Sequence, residues 1–276
     1  MNELDELIEE KDIGELKKKG KKFKFPIKRT LLGVLCTTLI WSAIPNIEYN
    51  IARIQANNNK YITSVLEDTN LSKEQQIAQI YKTALMENKN IPDDIKELLI
   101  ASFTSEVINH AGIFFTEDTI RNMYAVAKTE KISQMSEFAK EHGWWSGDYN
   151  PYTNTMKVAT YEDESLLAHE QLHAILKNGL FGTGLTSGIE GYGINEGATT
   201  FFGKSDSSYY SENNIINTLG FIIGYENLLE TYTNSDLSVL KKMLYQYISP
   251  QEANELIHKI DLNVFQRVSW NILRWK

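Results

Sequence analysis

His169-Glu170-Gln171-Leu172-His173 is an H-E-x-x-H pentapeptide set within an apolar stretch that runs from Leu166 to Leu176. On a helix, side chains four apart share a face, so His169 and His173 can offer two imidazole nitrogens to one metal ion. Glu170 then stands beside that ion, where its carboxylate can take a proton from a water made more acidic by the metal. The chemistry this implies is metal-assisted hydrolysis, with zinc as the ion and Glu170 as the general base. A third ligand must come from elsewhere, and two carboxylates compete for the role. Glu196 lies in Ile194-Asn195-Glu196-Gly197, 23 positions after His173; Glu190 lies in Ile189-Glu190-Gly191. Glu196 is preferred, because it falls in the first turn of an expected helix, whereas Glu190 sits inside a glycine-rich run.

A metzincin continuation would need Gly at 176 and His at 179; the chain has Leu176 and Gly179, which excludes it. The pairing of H-E-x-x-H with a downstream Asn195-Glu196 instead resembles the gluzincins, the thermolysin-like and aminopeptidase N-like zinc peptidases. The resemblance spans roughly Trp144 to Phe202 and rests on two short segments. It implies a zincin-like catalytic domain in which His169, His173 and Glu196 hold one Zn2+ per chain and Glu170 is the catalytic base. The chain departs from the family pattern twice. The interval from His173 to Glu196 is a few residues longer than usual, and Thr200 stands where thermolysin-like enzymes keep an acidic residue that holds a ligand histidine. The group that orients His169 is therefore open. So is the donor for the developing oxyanion, for which Tyr192, Tyr209, Tyr210 and His258 are the alternatives. The implied substrate is a peptide or protein, cleaved internally, since no motif for binding an amino terminus is present. The alternative is a membrane-tethered domain that binds zinc or peptides without catalysis, and the intact Glu170 counts against it.

These residues need two helices and a strand to position them. The acidic run Glu162-Asp163-Glu164-Ser165 caps the start of the motif helix, and Lys177-Asn178-Gly179 signals its end, which predicts a helix from Ser165 to Asn178. Upstream, residues 144–150 and Thr155 to Thr160 flank the turn signal Asn150-Pro151-Tyr152-Thr153-Asn154 and read as a β-hairpin. The resemblance makes Thr155 to Thr160 the edge strand that receives substrate backbone. Helices are expected over 50–68, 71–86, 93–109 and 117–128, then over 213–232, 235–247 and 250–260. Trp270 and Trp275 are expected to dock on the core. The fold class that results is α+β, mostly helical, with a small antiparallel sheet on the motif helix.

The N-terminus addresses location. Residues 17 to 29 carry seven lysines and Arg29, followed at once by the apolar run Leu31 to Ile47. Basic residues stay on the cytoplasmic side, so the expected organisation is a cytoplasmic tail over 1–30, a membrane anchor or signal segment over 31–47, and an extracytoplasmic domain over 48–276. Secretion after signal cleavage is the alternative. The only cysteine, Cys36, lies in the apolar run, so the outer domain has neither disulfide nor thiol chemistry. With 28 basic and 36 acidic side chains in the chain and the basic cluster confined to the tail, the outer domain is acidic, and nucleic acid is excluded as a partner. Composition leaves the oligomeric state undetermined.

Overall fold

The computed structural model describes residues 47–137, 140, 146–178, 182–186, 190–203 and 210–273. They belong to one compact unit, Ile44–Lys276. The expected tail and nearly all of the expected membrane segment lie outside the described residues, as do Trp144, Trp145, Tyr209, Trp275 and the side chain of Trp270. Among the described residues, no helix is long and apolar enough to cross a membrane.

The unit is mostly helical. It opens with helix α1 over 47–57 and, after a break at residues 58 and 59, α2 (Lys60–Leu66). The single helix expected over 50–68 is thus two, because Asn59 turns its side chain onto the Tyr61 amide and starts a new helix. Helix α3 (Lys73–Glu87) begins in a reciprocal cap between Ser72 and Gln75. Helix α4 (Asp93–Phe103) runs into a π-helical turn, Thr104–Ile108, and α5 (Glu117–Thr129) follows with Thr116 as its cap.

Three strands come next: β1 (Lys131–Gln134), β2 (Gly147–Asn150) and β3 (Thr155–Val158). The hairpin of β2 and β3 is the one expected, with the Asn150 side chain accepting the amides of Tyr152 and Thr153 and Asn154 in the left-handed region at φ 51°. The sheet is nevertheless mixed rather than antiparallel. Strand β1, unforeseen in the sequence, pairs in parallel with β3, giving the order β1-β3-β2. This corrects the expected substrate strand: β3 is hydrogen-bonded on both sides and cannot accept another strand, whereas β2 lies at an edge.

The motif helix α6 (Glu164–Ile175) is buried over its length from Leu166 to Ile175, packed between α4, α5 and the β2–β3 hairpin. It stops short of the expected end. Lys177–Asn178 leaves as strand β4 and pairs with β5 (Gly182–Thr183). The last carbonyls of α6 are claimed by tertiary partners: the Asn122 side chain donates to the Ile175 carbonyl at 2.7 Å and the Ser235 hydroxyl to that of Leu176 at 3.2 Å.

Helix α7 (Tyr192–Phe202) carries Glu196. Helices α8 (Tyr210–Ile223) and α9 (Tyr225–Thr233) replace the single helix expected over 213–232, because Gly224 at φ 92° breaks the backbone path. Helix α10 (Leu237–Leu244) is shorter than expected and α11 (Pro250–Leu273) longer.

Candidate metal centre

Three donors meet where α6 faces the first turns of α7. His169 Nε2 and His173 Nε2 are 3.1 Å apart, and Glu196 Oε2 is 3.5 Å from the first and 3.4 Å from the second. The spacing discriminates. Bonds of about 2.0–2.1 Å to a tetrahedral ion separate its ligand atoms by about 3.3 Å, so the triangle fits one small divalent ion. All three side chains are buried, and this is the group among the described residues that could hold a metal ion.

The electrostatics fit a cation as well. Burial would raise the Glu196 carboxyl, but the two imidazoles facing it outweigh that and hold it well below the usual carboxylate range. For His173, burial favours the neutral ring, yet the charges of Glu196, Glu170 and Asp148 together raise it. Burial lowers His169. The cluster thus holds a buried negative charge that positive charge must balance.

Glu170 lies against β2 and near enough to His173 and Glu196 for their charges to act on it. Burial, reinforced by the charges of Glu196 and Asp148, pushes its carboxyl up to about 8. The backbone of Gly147 lies directly on that carboxylate, and a Cβ at 147 would collide with it. The requirement for glycine here is thus set by the side chain beneath it.

The orienting group of His173 is clear. Its Nδ1 is 3.2 Å from Asn195 Nδ2 and 3.4 Å from Thr199 Oγ1. A ring that coordinates through Nε2 carries its proton on Nδ1 and donates it, and Thr199 Oγ1 is the oxygen in reach. That hydroxyl is fixed in turn, donating to the Asn195 carbonyl at 2.8 Å and lying 2.6 Å from the buried Tyr232 hydroxyl. Asn195 is locked by the Leu185 amide, which donates to its Oδ1 at 3.0 Å. Thr199 was not singled out from the sequence, although its spacing of three from Glu196 places it on the same face.

A second group that the sequence did not reveal is Asp261. From α11 its two carboxylate oxygens accept the amides of Gly191 at 2.9 Å and Gly193 at 2.8 Å, capping the start of α7 across about 70 residues of sequence. Local capping is impossible there, since Gly191 itself supplies the N-terminal turn, in the left-handed region at φ 82°. Burial raises the Asp261 carboxyl and the two amides oppose that. Asp148, an exposed residue of β2, is the third: its charge and those of Glu170, His173 and Glu196 act on one another.

The competing ligand Glu190 is engaged elsewhere, 2.5 Å from Lys241 Nζ. Among the oxyanion alternatives, Tyr192 opens α7 and His258 is exposed on α11, while Tyr209 and the side chain of Tyr210 lie outside the described residues. Past the end of α7, a cavity of about 450 Å³ is lined by Phe114, Phe201, Phe202, Tyr225 and Leu229 together with His110 and Glu226. Comparison of the chain with protein-family models, with curated proteins and with solved structures returned no match.

Proposed function

We propose that this chain is a zinc-dependent, gluzincin-like peptidase, held at the membrane by residues 31–47 with its tail cytoplasmic and its catalytic domain outside. The observation that carries the reading is the convergence of His169, His173 and Glu196 at tetrahedral spacing with an intact Glu170 beside them. Two imidazoles and one carboxylate are the donor set of catalytic zinc peptidase sites, which leave a fourth position open. When bound there, zinc supplies Lewis-acid polarisation of the scissile carbonyl and makes water a better acid.

The chain's own residues do the rest. Glu170 accepts the proton of the attacking water and returns it to the leaving amine, a role suited to a carboxyl with raised proton affinity. Thr199, held in turn by the Asn195 carbonyl and the Tyr232 hydroxyl, gives the His173 Nδ1 proton an acceptor and so favours one tautomer and orientation. Strand β2 presents an edge beside Glu170, where an extended peptide can pair with backbone, and this supports a peptide as substrate.

The test is metal content and hydrolysis measured together on the full-length chain. Elemental mass spectrometry is expected to find near one zinc per chain in the wild type and in Glu170→Gln, and none in His173→Ala. Peptide-library cleavage is expected in the wild type and reduced by about 10²–10⁴-fold in Glu170→Gln. Zinc retained without any cleavage would assign the domain to zinc-dependent recognition instead, and a folded chain without zinc would remove the enzyme reading.

A further inference from the structure

The back of the motif helix is held by a single side chain. At about 100° per residue, Gln171 stands about 180° round α6 from the midpoint of His169 and His173, on the side that a metal ion does not use. Its Nε2 donates to Glu130 Oε2 at 3.0 Å, and both residues are fully buried. Glu130 lies at the junction of α5 and β1, where its backbone is fixed twice over. Its amide donates to the Val126 carbonyl at 2.8 Å, and the buried Asn88 side chain donates to its carbonyl at 2.9 Å.

That one bond leaves two atoms over. Glu130 Oε1 and Gln171 Oε1 are both buried without a hydrogen-bond partner. They are the remaining polar atoms of a planar carboxyl and a planar amide that already share an N–H···O bond. As two bare oxygens they repel each other and both go unsatisfied. With a proton on Glu130 Oε1 the carboxyl donates to the amide oxygen, and the pair closes with two bonds. Exchanging the amide oxygen and nitrogen changes which carboxyl oxygen receives the N–H and leaves the same need for a proton. The buried Tyr81 hydroxyl is also unpartnered and so is not within hydrogen-bond reach of either oxygen.

We propose that Glu130 is a positioning residue of the metal centre: protonated, it closes an acid–amide pair with Gln171 that sets the rotation of α6 and so the direction of His169 and His173. Burial favours the protonated form, pushing this carboxyl up to about 8. The titratable groups on which its charge acts are Tyr81 of α3 and Tyr149 of β2, both kept neutral by burial, and among the described residues no cation opposes the burial. Once ionised, Glu130 is an uncompensated buried charge facing an amide oxygen, and the pair opens. A helix released at its back turns its ligands away from the point where Glu196 meets them. The positioning role rests on the metal-centre reading above; the acid–amide pair does not.

The experiment uses the full-length chain in a mild non-ionic detergent, with two readouts. Infrared difference spectra between wild type and Glu130→Gln are expected to show a carboxylic-acid band near pH 6.5 that gives way to a carboxylate band by about pH 9. Zinc affinity, read by competition with a chromophoric chelator, is expected to be alike in these two proteins near pH 6.5. Near pH 9 the wild type is expected to bind about tenfold more weakly than Glu130→Gln, whose amide keeps both bonds without a proton. Glu130→Leu, which removes the pair, is expected to bind about 10–100-fold more weakly than wild type near pH 6.5. Should Glu130→Leu misfold, the pH contrast between wild type and Glu130→Gln decides. An ionised Glu130 near pH 6.5 would overturn the inference. So would zinc affinity that is indifferent to Glu130→Leu, or that follows one pH course in wild type and Glu130→Gln. A folded chain that binds no zinc in any form would remove the metal-centre reading and the positioning role with it, while the infrared band would still report the pair.

Discussion

Glu170 and Glu130 show how burial sets the behaviour of a single carboxyl. Glu170 is covered by the backbone of Gly147, so Gly147→Ala must displace either the strand or the carboxylate. The expected result is a metal content near wild type with hydrolysis lowered by about tenfold or more, read by elemental analysis beside peptide cleavage, since small displacements of a positioned base are costly. Glu130 is buried behind α6, where Gln171 Nε2 donates to it at 3.0 Å, and its other oxygen has no hydrogen-bond partner among the described residues. Burial pushes this carboxyl from 4.5 up to about 8. The folded chain therefore binds more protons than the unfolded chain between those values, and stability is lost as pH rises through that window. Glu130→Gln keeps the shape and removes the ionisation. Denaturant titrations at pH 5 and pH 8 are expected to show the variant more stable than wild type at pH 8 by roughly 2–4 kcal/mol and nearly equal at pH 5; an unchanged pH dependence would show that Glu130 ionises in the fold without cost.

At the scale of elements, the site is the crossing of α6 and α7, and each is held by a different device. Helix α6 starts at Asp163, whose carboxylate accepts the Leu166 amide at 2.9 Å, a cap evident in the sequence. Helix α7 borrows its cap from Asp261 on α11. Asp261→Ala is expected to lower stability by about 1–3 kcal/mol and to weaken metal binding several-fold, measured by thermal melts and competition with a chelator, because a loosened first turn no longer holds Glu196 against the histidines. Asp163→Ala should cost only about 1 kcal/mol. The hairpin and the motif helix were legible in sequence because their signals are local: alternation, turn residues, caps and a four-residue repeat. Strand β1 was not, since its four residues gain definition only by pairing with β3. The break at Gly224 was also missed, because a glycine inside a helical pattern shows no sign of the conformation it will adopt.

For the whole molecule, the candidate centre joins segments that α6 and α7 contribute from either side of the core, so ligand binding and folding are coupled. Removal of metal by a chelator is expected to lower the melting temperature of the wild type and to leave that of His173→Ala unchanged, because an ion that binds only the folded state stabilises it by mass action. A melting temperature indifferent to chelation in both proteins would argue against a metal at this site.

The sequence by itself determined the chemistry-bearing pentapeptide, the burial of its helix, the acidic character of residues 48–276 and the first choice of Glu196 over Glu190. Each of these follows from periodicity, capping or composition, which act over a few residues. Only the tertiary structure decided that Glu196 stands within 3.5 Å of both histidines while Glu190 is tied to Lys241. It also decided that Thr199, backed by Tyr232, meets His173, that β2 rather than β3 lies at an edge of the sheet, and that α1 turns three isoleucines outward. These depend on contacts between residues tens of positions apart, and no local pattern encodes which distant partner will fill a given hydrogen bond or cover a given face.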